Sequence, residues 1–202
     1  MNTLYKNEQS GRSMVEMLGV LAIIGVLSIG GISGYSKAMA KYRVNKTLDQ
    51  ISMLVMNIRS LFSASVDYDG LEDKTAIQMG IIPRDMLPSG TTETTAESII
   101  NAYQGSVFLT VGNEGGSNRS FSVEYTGLPR EACVAIATAD WGSQAGSGLI
   151  RIHVGPGTDK RSEITYPTDA YEIDELPISL AKAAQSCTSV SDVGNGIKWE
   201  YY

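Results

Sequence analysis

Residues 14–36, MVEMLGVLAIIGVLSIGGISGYS, contain one charge in 23 positions, Glu16. As an α-helix rising about 1.5 Å per residue, this run spans about 35 Å. That length crosses a bilayer hydrocarbon core of about 30 Å. A secretory signal would instead pair a basic leader with a shorter apolar region and a small-residue cleavage site behind it. Here the leader MNTLYKNEQSG carries Lys6 and Glu8, and cleavage behind the run would discard the best-patterned helix of the chain. An uncleaved signal anchor is the plain alternative. The helix is not expected to stop at Ser36, because no proline occurs from Met14 to Phe62 and apolar residues continue at Leu48, Ile51, Val55, Ile58 and Phe62. Spacings of three and four define one stripe of an amphipathic helix. A continuous helix of these 49 residues would be about 74 Å long. Its first half suits a membrane and its second half suits the flank of a globular domain.

Glu16 constrains the reading further. A carboxylate just inside an apolar run costs free energy, up to about 2.5–3.5 kcal/mol at mid-membrane, and so marks a functional position unless it simply reaches interfacial water. Gly11 stands before it with four residues between them, and the apolar stretch follows. The spacing from Gly11 to Glu16 resembles the class III signal of type IV prepilins and pseudopilins, in which a membrane peptidase cuts after the glycine and methylates the new amino terminus. That resemblance makes Gly11 the last leader residue, Arg12 the first mature residue and Glu16 the fifth. The family usually starts its mature chain on an apolar residue, where this chain has Arg12. Lys37, Lys41, Arg43 and Lys46 follow the apolar run, whereas Lys6 and Arg12 precede it beside Glu8, so the positive-inside rule does not favour export of the C-terminal part. The exported topology rests on the resemblance. Gly19, Gly25, Gly30, Gly31 and Gly34 each weaken the helix by about 1 kcal/mol relative to alanine. They permit either close helix packing or local unwinding around 30–34 when subunits leave the bilayer.

Beyond Phe62 the pattern changes to short elements. A short helix is expected over 71–79, then Ile81-Ile82-Pro83 and a Ser/Thr-rich loop at 89–95. Strands are expected over Ser106–Val111, Ser120–Thr126, Leu149–Val154 and Ile197–Tyr202, with helices opening on proline over Pro129–Ala139 and Pro177–Ser186. An antiparallel sheet packed on the second half of the long helix follows, an α+β class. This half resembles the type IVb class of pilins through Asn101-Ala102-Tyr103, Gly127-Leu128-Pro129 shortly before Cys133, and a second cysteine, Cys187, ahead of a C-terminal strand. With export, Cys133 and Cys187 are expected to form a disulfide; in a cytoplasmic chain they would be two buried thiols.

The remaining chemistry is sparse. A formal net charge of −6 lacks the basic footprint of nucleic-acid binding. His153, the single histidine, is expected to be structural, and no phosphate loop, H-E-x-x-H or G-x-S-x-G motif occurs. Gly155-Pro156-Gly157-Thr158-Asp159-Lys160 could cradle an anion but more simply makes a turn. The pairs Glu72-Asp73 and Asp174-Glu175 read as solvated loop charges rather than a metal site. No cofactor, metal or catalytic residue is expected. The resemblance implies a pilin fold divided into a leader 1–11, a transmembrane and assembly helix 12–36, an amphipathic half 37–63 and a head 64–202. It also implies a non-enzymatic fibre subunit, inserted in the inner membrane as a precursor and then extracellular. The implied partners are a prepilin peptidase, the pilus assembly machinery and further copies of the chain. A minor pilin, a type II secretion pseudopilin and a signal-anchored periplasmic enzyme or binding protein are the alternatives.

Overall fold

The computed structural model describes residues 14–142, 147–157, 169–189 and 193–202. Helix α1 runs unbroken over Met14–Phe62, the interval that the absence of proline and the apolar periodicity define. The chain divides into two compact units, Met1–Lys41 and Tyr42–Tyr202. In the first, the described helix has no buried face: Met14, Leu18, Leu21, Val26, Ile29 and Ile32 are all exposed. Its most apolar window has a mean hydropathy of 2.2, which makes it long and apolar enough to span a membrane.

In the second unit, α1 buries Thr47, Gln50, Ile51, Leu54, Val55 and Ile58. Leu48 and Phe62 lie at the margin of this stripe, only partly buried. The elements that follow are α2 (Asp73–Gln78), a 3-10 turn at Arg84–Met86, β1 (Ile99–Ile100), β2 (Ser106–Gly112), β3 (Ser120–Leu128) and α3 (Arg130–Ala137). Then come β4 (Leu149–Pro156), β5 (Asp169–Glu172), a 3-10 turn at Ile173–Glu175, α4 (Leu180–Ser186) and β6 (Asn195–Tyr201). The six strands form one sheet in the order β1-β2-β3-β6-β4-β5, and every neighbouring pair is antiparallel. Alternation sends Val107, Leu109, Phe121, Val123, Tyr125, Ile152, Val154, Ile197, Trp199 and Tyr201 into one core with Ile51, Leu54 and Ile58. Rings reinforce this face: Tyr125 meets Trp199 edge-on at 5.8 Å, and Tyr68 lies 4.7 Å from Phe121.

Four expected strands are present with small shifts of boundary. Strands β1 and β5 are additions, two and four residues long, too short to carry a period. The two late helices begin after their prolines. Pro129 occupies the cap position with ψ 151°, so α3 starts at Arg130 and ends at Ala137. In α4 the start moves from Pro177 to Leu180, because the Ser179 hydroxyl accepts a hydrogen bond from the Lys182 amide and so caps the helix there.

Leu54 is fully buried between α1 and the sheet whereas Leu61 is 43% exposed. Leu54→Ala should therefore destabilise the head by about 2–5 kcal/mol, read as a lower urea midpoint. Leu61→Ala should stay within about 0.5 kcal/mol of the parent; equal effects would show that α1 is not the element on which the sheet packs.

Candidate functional site

The apolar half of α1 offers a surface with a single charged side chain. Glu16 lies in the first described turn and is exposed, like every other residue from Met14 to Gly34. A carboxylate near a helix N-terminus meets the positive end of the helix dipole. Gly11 and Arg12 lie outside the described residues. The helix continues through Gly30, Gly31 and Gly34, and a Cβ placed on any of the five glycines of this half would meet nothing within 4 Å. Among the described residues their small size therefore serves no packing, and it leaves the backbone open to close approach.

Where α1 enters the head, the polar side chains on its buried stripe have individual partners, except that Gln50 Oε1 has none among the described residues. Thr47 Oγ1 donates to the Arg43 carbonyl at 2.9 Å, and Gln50 Nε2 donates to Asp85 Oδ2 at 3.0 Å. Lys46 Nζ lies 3.1 Å from the same carboxylate. Burial pushes the Asp85 carboxyl up, but the hydrogen bonds from Lys46 and Gln50 outweigh it and hold it below its ordinary value. The 3-10 turn at Arg84–Met86 is thereby tied to α1. At the far end of the helix, Arg59 Nη1 donates to the Ser147 carbonyl at 2.6 Å, and its guanidinium lies 5.0 Å from the Tyr201 ring centre.

Cys133 in α3 and Cys187 at the C-cap of α4 form a disulfide with Cα atoms 6.0 Å apart. Closing a segment of 54 residues removes chain entropy from the unfolded state equivalent to about 4 kcal/mol. The short motifs around it have mechanical roles. Gly127 takes φ +69° at a register shift between β3 and β6, and a Cβ on it would lie 2.7 Å from the Gly105 Cα, so both positions need glycine. Asn101 is fully enclosed there, accepting from the Tyr103 and Gly105 amides and donating to the Thr126 carbonyl at 2.7 Å. Buried Asn195 donates to the Leu128 carbonyl and accepts from the Ser189 amide, locking the chain behind Cys187 onto β3.

The other side of the sheet carries a charge network that no motif announces. Arg151 on β4 reaches Glu172 on β5 and Glu114 beyond β2, each at 3.1 Å, and Glu200 on β6 at 3.5 Å. Lys198 also pairs with Glu200, and His153 Nε2 lies 3.3 Å from it. The histidine thus sits on the polar side of β4, in a structural contact. Gly155 and Pro156 belong to β4, opposite Gly196 and Asn195, while Thr158, Asp159 and Lys160 lie outside the described residues. Asp73 accepts from the Leu109 amide at 2.7 Å, and Glu175 pairs with Lys182 at 2.8 Å. Among the described residues no cluster of His, Cys, Asp or Glu could hold a metal. The sequence signal for the network is the period-two recurrence of charge in Arg151/His153 and Lys198/Glu200; the pairing that unites them depends on strand order.

Burial raises the Glu200 carboxyl, but hydrogen bonds from His153 and Lys198 and their charge outweigh it and bring it from 4.5 down to about 2. A depressed carboxylate stabilises the fold above its unfolded value and loses that contribution as pH falls towards its folded one. The melting-temperature advantage of the parent over Glu200→Gln should therefore be full at neutral pH and shrink between pH 4.5 and about 2. A difference independent of pH across that window would remove the carboxylate charge from the network.

The profile of the family described as PilS N terminal matches residues 41–194, well over half of the chain. No curated protein sequence matches it. Among solved structures, the type IVb pilin of Salmonella typhi matches with a TM-score of 0.53 at 19% identity, covering 78% of this chain and 98% of that one. TcpA, a type IV pilin from Vibrio cholerae El Tor biotype, matches with a TM-score of 0.51 at 11% identity, covering 80% and 99%. With a long apolar-to-amphipathic helix laid on an antiparallel, disulfide-closed head, the chain belongs to the PilS N-terminal family and has the type IVb pilin fold.

Proposed function

We propose that this protein is the structural subunit of a type IV pilus. The carrying observation is α1 itself, whose first half is apolar and exposed on every side while its second half is the spine of a folded head. A surface of that kind is stable only in lipid or against other apolar helices. The precursor sits in the inner membrane through 12–36, with 1–11 as leader, 37–63 as the amphipathic half and 64–202 as the exported head. A prepilin peptidase cuts after Gly11 and the new amine at Arg12 is methylated. The assembly machinery then moves the subunit into an extracellular homopolymer, with the apolar halves inside and the heads outside. The role is structural and involves no catalysis; adhesion, motility or conjugation-type contact would be functions of the fibre.

Glu16 supplies the register. In the fibre core a carboxylate needs a partner, and the Arg12 amine of an incoming subunit is one. At about 4 Å and an effective dielectric near 20, their attraction is on the order of 4 kcal/mol before desolvation. A heterologous contact whose rotation does not close generates an open helical fibre.

Intact-mass analysis of the subunit from membranes and from sheared surface fibres should show loss of residues 1–11, with one added methyl group. The full-length chain in assembled fibres would refute the processing site. Abundance in those fibres separates a major subunit from a minor pilin or pseudopilin. Glu16→Ala should leave membrane insertion and the Cys133–Cys187 bond intact while lowering fibre yield by about tenfold or more, equivalent to at least about 1.4 kcal/mol. Fibres at the parental yield would make Glu16 an ordinary interfacial carboxylate.

A further inference from the structure

Within the head unit, the turn that follows α1 and the loop between β2 and β3 enclose a cleft of about 400 Å³. The Tyr68 amide donates to the Asn118 carbonyl at 2.8 Å, and Asn118 Nδ2 donates to Asp69 Oδ1 at 3.2 Å, so the two segments are tied together. The Tyr68 ring lies 5.4 Å from Phe62 and 4.7 Å from the buried Phe121, which anchors this wall in the core. Tyr202 closes a third side and is held by its amide, which donates to the Gly148 carbonyl at 2.8 Å. A Cβ on Gly115 would lie 3.1 Å from the Tyr202 ring, so glycine there, with φ +74°, lets the loop approach that ring.

The lining is of two kinds. Phe62, Tyr68 and Tyr202 present ring surface, and Tyr202 stays 52% exposed. Ser65, Asp67 and Arg119 present a hydroxyl, a carboxylate and a guanidinium. Among the described residues, the Arg119 guanidinium and the Ser65 and Tyr202 hydroxyls make no hydrogen bond with the protein, and neither Asp67 nor Arg119 is in an ion pair. Asp67 Oδ1 accepts from the Asp69 amide at 3.2 Å, which orients the carboxylate without neutralising it. The neighbouring groups are engaged elsewhere: Arg59 Nη2 donates to the Tyr202 main-chain oxygen at 3.2 Å, and Glu114 pairs with Arg151. Aromatic walls with a few convergent polar groups, already formed, are the make-up of a small-molecule site.

We infer that this cleft binds a neutral pyranose, either a free sugar or the end of a glycan chain. A pyranose carries C–H groups on its ring face and hydroxyls round its edge. Those weakly positive hydrogens suit the negative face of an aromatic ring, and adjacent hydroxyls suit a carboxylate acceptor and a guanidinium donor in one site. Charge selects against other small ligands. Arg119 and Asp67 balance within the lining, so neither sign of ligand charge is favoured there, and a chain of net charge −6 further opposes an anion. A purely apolar ligand would strip water from both charged groups and leave them without partners. The volume falls near the lower end of the range for ligand pockets, roughly 300–1,000 Å³, which suits one or two sugar rings. The site lies wholly in the head unit and stands apart from the fibre reading.

Saturation-transfer NMR tests this on the full chain, held in a detergent whose headgroup is not a sugar. The probes are methyl β-D-galactopyranoside, methyl α-D-glucopyranoside and methyl α-D-mannopyranoside, with glucose 6-phosphate and N-acetylneuraminic acid as charged controls. At least one neutral glycoside should receive saturation from the protein, and both charged sugars should receive much less. Tyr202→Ala and Arg119→Ala should each weaken binding about tenfold or more. Ser65→Trp, at an exposed position, should abolish it by filling the cleft. The melting temperature and the Cys133–Cys187 bond should be unchanged in all three variants. No transfer to any neutral glycoside would overturn the inference, as would transfer to the charged sugars as strong as to the neutral ones. Binding that survives the three substitutions in folded protein would place the sugar elsewhere and also overturn it.

Discussion

The contact between Ile51, Leu54, Val55 and Ile58 of α1 and the inner face of the sheet fixes the head, since each is at most 8% exposed. Fully burying a side chain of this size contributes about 1.5–3 kcal/mol, so the four together exceed what any surface ion pair of the head supplies. The same helix is a covalent continuation of the apolar half. Its two halves satisfy different surroundings with different patterns, apolar all round before Ser36 and apolar on one stripe after Leu48. The exposure of Tyr42, Met53 and Met56 is the remainder of that arrangement, since one face of a helix can be buried by one sheet.

The opposite side of the sheet is held by other means. Arg151 joins carboxylates from β5, β6 and the turn beyond β2, so one guanidinium crosses several strands. Glu172, Glu200 and Glu114 outweigh the burial that would otherwise weaken its hold on its proton. The disulfide ties α3 to α4, and Asn101 and Asn195 anchor the bends on either side of Gly127 through backbone hydrogen bonds. Apolar burial on one face, charge pairing on the other and covalent closure at the rim divide the work among mechanisms that differ in their response to pH and to reductant.

How legible each part was in the sequence follows from the range of the interaction behind it. The extent of α1 is a local property, set by the absence of proline and by spacings of three and four, and its continuity through to Phe62 could be read directly. Strands β2, β3, β4 and β6 announce themselves through β-branched and aromatic alternation. Strand β1, two isoleucines, and β5, Asp169–Glu172, exist only because a neighbouring strand offers hydrogen bonds, and no local pattern records that. Leu54 lay outside the anticipated stripe because its neighbours in the 3-4 spacing already completed one. Thr47 and Gln50 are buried polar residues whose partners, Arg43 and Asp85, make burial tolerable. Glu16 stands out in the sequence as the lone charge in an apolar run, whereas the Arg151 network needed the strand order before its members became neighbours.

That strand order has a consequence for how the head comes into being. Strand β6, Asn195–Tyr201, is the last described element along the chain, yet it lies in the middle of the sheet between β3 and β4. Until it arrives, β3 and β4 each present an unpaired edge, and Trp199, fully enclosed in the native core, has no counterpart to pack against. A topology that joins distant parts of a chain pays its loop-closure entropy before the contacts compensate. The two flanks of the sheet, β1-β2-β3 and β4-β5, are therefore joined only through the last described strand, and the central position of β6 makes the head's single sheet conditional on that strand being in place.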